Sequence, residues 1–158
     1  MDVRFVNPFL SATVSALDTM AGLEVVRGQP KIENRFLALA DVSGLIGITG
    51  DVTGAVALSF PRALARRICE ALLGESVADD DPGIADAVGE LANIVTGGVK
   101  RAYDKLGVRF QLSTPTVAVG ERHKILYPSD RPVLVIPFRT LGTPFWVQAT
   151  LKFEGRGG

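Results

Sequence analysis

The sequence predicts an α/β layered sandwich, a mixed or antiparallel sheet packed under helices, built as two pseudo-twofold halves that each run a helix and then about three strands. Three observations predict it. Apolar residues recur at helical spacing near the N-terminus and again over residues 82–106. Apolar runs of strand length follow each of those stretches. The order of elements in the second part of the chain repeats the first in outline, although the two parts share little sequence. With 158 residues, 47% of them hydrophobic, one domain over 1–158 can bury a substantial core.

The elements follow in chain order. Leu10, Val14, Leu17 and Ala21 mark an amphipathic first helix. Arg4, the apolar residues after it and the small-residue segment Val14-Ser15-Ala16 imitate a secretory signal, but Asn7 and Pro8 interrupt the apolar run. Leu23 to Ile32 reads as a strand. Val42 to Thr49 and Thr53 to Phe60 flank Gly50-Asp51-Val52, a connection suited to a hairpin. Pro61 sits where a first helical turn accepts it, Leu64, Ile68 and Leu72 form the stripe of a second helix, and Gly74 is placed to end it. The last carboxylate of Asp79-Asp80-Asp81 is placed to cap a third helix from about Pro82 to Leu106, so this acidic run is a helix start and not a metal site. Beyond Gly107, three strands are expected over Val108 to Val119, Pro132 to Leu141 and Thr143 to Phe153, with an irregular polar stretch from Gly120 to Asp130.

In the last strand, Phe145, Val147, Ala149, Leu151 and Phe153 alternate with Trp146, Gln148, Thr150 and Lys152, which predicts one face under helices and a wetter face opposite. Trp146 then reads as a partly covered tryptophan or a dimer contact rather than a ligand platform. Val133 to Ile136 is apolar on both alternating faces, as in a central strand or one covered by a second subunit.

Composition excludes several functions. Lys plus Arg is 17 and Asp plus Glu is 17, so no net charge holds a nucleic-acid backbone or an anionic membrane. No stretch approaches the roughly 20 apolar residues that a bilayer demands. A single cysteine, Cys69, allows no internal disulfide, in keeping with the cytoplasm, and a single histidine, His123, allows no histidine-rich zinc site. Cys69 reads as a buried small residue and His123 as an ordinary loop residue. The serines lack a G-x-S-x-G setting, which disfavours a nucleophilic hydrolase. Gly44, Gly47, Gly50 and Gly54 lack the G-x-x-x-x-G-K order of a phosphate cradle and suit the hairpin instead.

The third helix carries the polar chemistry. On a wheel at 100° per residue, Ile84, Val88, Leu91, Val95, Val99, Ala102 and Leu106 fall within a stripe roughly 80° wide, the face against the sheet. Asp86, Glu90, Asn93, Gly97 and Asp104 cluster about 180° away, and Glu90 and Asn93 lie about 60° apart and one turn apart in height. Spacing of this kind marks an ordinary solvated face as readily as a site. Gly97 and Gly98 each cost the helix roughly 1 kcal/mol relative to Ala, so they call for a reason. Gly98 faces the core, where it could admit a strand closely, and Gly97 leaves open space one turn after Asn93.

Asp86-x-x-x-Glu90-x-x-Asn93, then Ile94-Val95-Thr96-Gly97-Gly98 and later Ser113-Thr114-Pro115-Thr116, resembles the signature of the CheC, CheX and FliY phosphatase family. The order of elements resembles CheX over nearly the whole chain. The first helix lacks a second copy, since Leu17-Asp18-Thr19-Met20-Ala21 has neither the Glu nor the Asn, and this points to the CheX branch with one site per chain. Pro115 comes about one residue earlier than the usual family spacing and is read as structural.

The resemblance implies removal of the phosphoryl group from the aspartyl phosphate of a CheY-type response regulator. It makes Asn93 the residue that orients the attacking water and Glu90 the residue that pairs with the regulator's active-site lysine. Asp86, Gly97 and Lys100 would contact the same partner. It also implies a cytoplasmic homodimer, and no cofactor in this chain, because the magnesium belongs to the regulator. The alternative is a non-enzymatic domain of the same fold that binds a regulator or serves in a signalling or motor assembly.

Overall fold

The structure of the protein, a computed structural model, describes residues 2–33, 40–123, 125 and 132–154. Its elements are α1 (Val3–Ala21), β1 (Val26–Arg27), β2 (Lys31–Glu33), β3 (Ala40–Gly50), β4 (Val52–Phe60), α2 (Arg62–Leu73), α3 (Gly83–Lys105), β5 (Phe110–Leu112), β6 (Thr116–His123), β7 (Val133–Thr140) and β8 (Thr143–Phe153). The strands form one sheet in the order β1-β7-β8-β4-β3-β5, with β2 also on β7 and β6 also on β3. Every strand pairing among the described residues is antiparallel.

The two halves are visible in that order. The hairpins β3–β4 and β7–β8 meet at the centre through β4 and β8, and the broken strand that opens each half crosses to the edge of the other half's hairpin. Between the halves, α2 is an addition. The three helices cover one face, where Phe9, Leu17, Ile68, Val88, Leu91, Val95 and Val99 share a core with Val42, Ile46, Val56, Leu58, Ile136 and Val147. Each such side chain contributes about 1.5–3 kcal/mol on burial. Phe60, Phe145 and Phe138 stack in a row beneath them, with ring centres 5.0 and 5.2 Å apart.

Most element boundaries lie close to the expected ones. Asp81 Oδ1 accepts from the Gly83 N–H at 2.7 Å, so the acidic run does start α3. Gly74 ends α2 in the left-handed conformation, whereas Pro61 is the cap residue just before the helix rather than a member of its first turn. The helix α1 begins at Val3 on the Asp2 carboxylate and runs through Asn7 and Pro8. At the other end of α3, Leu106 is exposed and Tyr103 turns inward, donating its hydroxyl to the Phe5 carbonyl at 2.7 Å and making edge contacts with the Phe5 and Phe110 rings. Burial pushes the Tyr103 phenol well above its ordinary pKa.

Four expectations need correction. The strand over Leu23 to Ile32 is two short pieces, β1 and β2, separated by Gly28-Gln29-Pro30; Pro30 has no N–H for a ladder, and a side chain at Gly28 would meet Pro137 at 2.6 Å. The strand over Val108 to Val119 breaks at Ser113-Thr114-Pro115 into β5 and β6, both on β3. The polar stretch after it is regular as far as His123; residues 124 and 126–130 lie outside the described residues. His123 is no loop residue, because it sits at the end of β6 with Nδ1 donating to the Gly120 carbonyl (2.8 Å) and Nε2 against Ser43 Oγ (2.7 Å), which in turn meets Ser59 Oγ at 2.8 Å.

The fourth correction concerns the second face of the sheet. Trp146 is half-buried and Lys152 exposed, but Ser43, Ala57, Ser59, Gln148 and Thr150 are all buried there. Val133 to Ile136 is buried on both faces within one chain, and β7 lies between β2 and β8, so its apolar character is that of a central strand. Gln148, paired between Ala57 and Val135, has no hydrogen-bond partner among the described residues for either polar atom of its carboxamide. A buried amide without a partner costs about 1–3 kcal/mol, so Gln148→Met is expected to raise unfolding free energy by about 1 kcal/mol, read from the denaturant midpoint.

Candidate functional site

The site is the outer face of α3, and the sheet side of that helix explains why it is rigid. Ala87, Val88, Gly89, Leu91, Ala92 and Val95 are buried beneath Asp86, Glu90 and Asn93, which are exposed. Three glycines bring the neighbouring elements close. A side chain on Gly44 of β3 would meet Ala92 Cβ at 2.9 Å and the Val88 carbonyl at 3.1 Å, so this strand lies directly against the helix. One on Gly89 would meet Val117 at 3.1 Å and Pro115 at 3.9 Å. One on Gly98 would meet Ala12 at 3.0 Å, so the close neighbour of Gly98 is α1 and not the strand expected there.

The contact at Gly89 joins the two parts of the motif in space. Ser113 N–H donates to the Gly47 carbonyl at 3.0 Å, and Ser113 Oγ accepts from the Gly47 N–H at 2.8 Å. These bonds hold the break between β5 and β6 so that Pro115 rests on α3 beside Glu90. Pro115 thus occupies a packing position.

On the outer face, the Glu90 carboxylate and the Asn93 carboxamide have no ion-pair or side-chain hydrogen-bond partner among the described residues. The Asn93 backbone carbonyl accepts from Thr96 Oγ1 at 3.2 Å, a bond that leaves its side chain free. Gly97 is half-buried, and a Cβ there would meet only Arg101 Nη1, at an ordinary 3.7 Å. Lys100 is half-buried and its Nζ lies 3.9 Å from Asp104 Oδ2 one turn on, a surface pair worth about 0.3–0.5 kcal/mol. Asp86, Glu90, Asn93 and Gly97 therefore share one open face, with Lys100 at its side and already engaged.

The remaining candidates are elsewhere. Cys69 is buried against α3's first turn, and burial pushes its thiol up, away from nucleophilic use. Asp79 pairs with Arg66 at 2.6 Å. Among the described residues no three His, Cys, Asp or Glu side chains are grouped to hold a metal ion, and no helix is long and apolar enough to cross a membrane.

An exposed carboxylate and carboxamide on a rigid helix, both without partners, can do little alone but can be inserted into another protein's site. Comparison with known proteins points the same way. The family described as chemotaxis phosphatase CheX matches residues 42–139. The CheY-P phosphatase CheX of Thermotoga maritima is 28% identical over 126 residues, 79% of this chain and 81% of that one. A crystal structure of chemotaxis protein CheX from Desulfovibrio desulfuricans is similar with a TM-score of 0.88 at 36% identity, over 94% of this chain and 99% of that one. The CheX–CheY–BeF3–Mg2+ complex from Borrelia burgdorferi is similar with a TM-score of 0.80 at 25% identity, over 94% and 97% of the two chains.

Proposed function

From the premise that the chain belongs to the CheX family of chemotaxis phosphatases, we propose that it dephosphorylates the aspartyl phosphate of a CheY-type response regulator, with Asn93 and Glu90 as its working side chains. The observation that carries the assignment is their shared exposure on α3 without an ion-pair or side-chain hydrogen-bond partner among the described residues. The magnesium of the reaction sits with the regulator, as the ion named in the Borrelia complex suggests.

The regulator brings the phosphoryl group, the metal and a cationic side chain, so what remains to be supplied is a water in line with the scissile bond. A carboxamide suits that task. Asn93 Oδ1 accepts from the water while Nδ2 donates to an oxygen nearby, and the group carries no charge to repel phosphoryl oxygens. The water's oxygen bonds to phosphorus as the bond to the aspartyl oxygen breaks, releasing inorganic phosphate and the free carboxylate. Glu90, one turn away, pairs with the regulator's active-site lysine and sets how deeply Asn93 enters. Asp86 lies on the same line of the helix, Gly97 leaves room for the incoming surface, and Lys100 borders it. The reading also carries a homodimer with one α3 site on each copy, and a cytoplasmic location shared with the regulator.

Catalysis and sequestration differ in stoichiometry. A small fraction of this protein should speed decay of a large excess of phosphorylated regulator; an effect only at about one copy per regulator would establish a binding module instead.

Gly97 supplies a second check, because its two roles oppose each other. Its Cβ position is open, so Gly97→Ala should gain about 1 kcal/mol of helix stability and raise Tm by about 2–4 °C. The same methyl group stands where the regulator docks, and phosphatase efficiency should fall about tenfold.

A further inference from the structure

Arg101 is absent from the motif, yet it lies on the same line of α3 as the site. Eleven residues at 100° each bring it to within about 20° of Glu90, and about 16 Å further along the axis. Its guanidinium folds back over the two glycines: Nη1 is 3.7 Å from the Cβ position of Gly97 and Nη2 is 3.8 Å from that of Gly98. A Cβ at either position would stand at ordinary contact distance from it. Arg101 is exposed and has no ion pair or side-chain hydrogen bond among the described residues, whereas its neighbour Lys100 is engaged by Asp104.

The charges on this face are ordered along the helix. Asp86 and Glu90 stand at one end and Asn93 in the middle; at the other end the exposed Asp104 is paired with Lys100, which leaves Arg101 and exposed Lys105 as the cations without an ion-pair partner among the described residues, although the chain as a whole carries no net charge. Arg101 and Lys105 also form one wall of a groove of about 550 Å³ between α1 and α3, with Ser11 and Ser15 opposite and Ile94 on its floor. An acidic segment fits that chemistry: two cations on one wall, small hydroxyl residues on the other.

We propose that Arg101 is a second docking point of the phosphatase site, accepting a carboxylate on the surface of the phosphorylated regulator, so that the acid-to-base order along α3 fixes the direction in which the regulator lies. The proposal rests on the reading of Glu90 and Asn93 given above. The carboxylate is a surface group and not the phosphoryl group, because Gly97, over which the guanidinium lies, is itself about 6 Å along the helix from Asn93. Arg101 is a positioning residue. With the guanidinium folded back over Gly97, seven residues from Glu90, opposed charges stand at two points about 10 Å apart along the helix and resist reversed docking in a way that Glu90 alone does not.

The test is the decay of phosphorylated CheY-type regulator, measured over a range of regulator concentrations at low and high salt, for wild type, Arg101→Glu, Arg101→Gln, Arg101→Lys and Asn93→Ala. Arg101→Glu should raise KM about tenfold or more, lower kcat by less than about threefold and flatten the salt dependence. Arg101→Gln should show the same pattern more weakly, and Arg101→Lys should recover most of the wild-type KM. The proposal is overturned by an Arg101→Glu protein whose KM and salt dependence match wild type while Asn93→Ala is inactive. It is overturned equally by a fall in kcat at unchanged KM, which would place the guanidinium on the phosphoryl group. A wild-type protein that fails to speed decay overturns the phosphatase reading and this one with it.

Discussion

Asn93→Ala is expected to slow dephosphorylation of a CheY-type regulator by about 100-fold or more, while its affinity for the regulator stays within about threefold of wild type. The asymmetry comes from what the carboxamide does. Asn93 lies on the surface and its carboxamide has no hydrogen-bond partner among the described residues, so its removal should leave the fold within about 0.5 kcal/mol of wild type. In the proposed complex its target would be a water that is fixed only when reaction occurs, so binding should lose little and turnover most of the positioning. Asn93→Asp, nearly the same shape, should not rescue activity, since its charge opposes the phosphoryl oxygens and it lacks the donor. Single-turnover decay and titration of a beryllofluoride-activated regulator separate the two quantities.

Glu90→Ala is expected to act on both, lowering kcat/KM by about 30-fold or more with a raised KM and reduced turnover. In the proposed complex its carboxylate would pair with a lysine that docking removes from water, so the truncated variant would leave that lysine desolvated and unpaired. Turnover falls because the depth at which Asn93 enters is no longer set. Glu90→Gln, which keeps a hydrogen bond without the charge, should fall between. A Glu90→Ala protein with wild-type KM would remove this residue from the interface. Both variants act on exposed side chains without an ion pair or side-chain hydrogen bond among the described residues, so their melting temperatures should stay close to wild type.

The outward face that carries the candidate residues was legible in the sequence because helix periodicity places the side chains without tertiary knowledge. Ile84, Val88, Leu91, Val95 and Val99 all lie in the core, and that alone turns Asp86, Glu90 and Asn93 outward. The Asp81 cap was equally local, set by residues within a few positions, whereas the hairpin turn at Asp51, although legible, is also tied to Arg109 and Glu154. What sequence could not show depends on partners far along the chain. The α2 N-terminus is capped from β3, where Asp41 accepts from the Arg62 N–H at 2.8 Å while also accepting from Arg122 N–H at 2.9 Å. The Arg122 N–H foremost, and then that of Arg62, hold the Asp41 carboxyl below its ordinary pKa.

The same limit explains the two broken strands. Nothing in the apolar pattern of Val108 to Val119 reveals that Ser113 bonds to Gly47 on both its backbone and its hydroxyl, the bonds that seat Pro115 against α3. Gly98 was recognisable as a packing glycine, but its neighbour could not be named, because strand and helix backbones make the same demand on it. On β8, alternation suggested a wet face. Gln148 and Thr150 are buried there instead, and the Gln148 amide has no hydrogen-bond partner among the described residues.

The most direct test of the account is the decay of phosphorylated CheY-type regulator in the presence of a small fraction of this protein, wild type against Asn93→Ala. The account predicts decay that wild type accelerates through many turnovers and that Asn93→Ala leaves at the regulator's own rate, although the variant still binds. Equal acceleration by both proteins would contradict it, since the water would then be held by some other group.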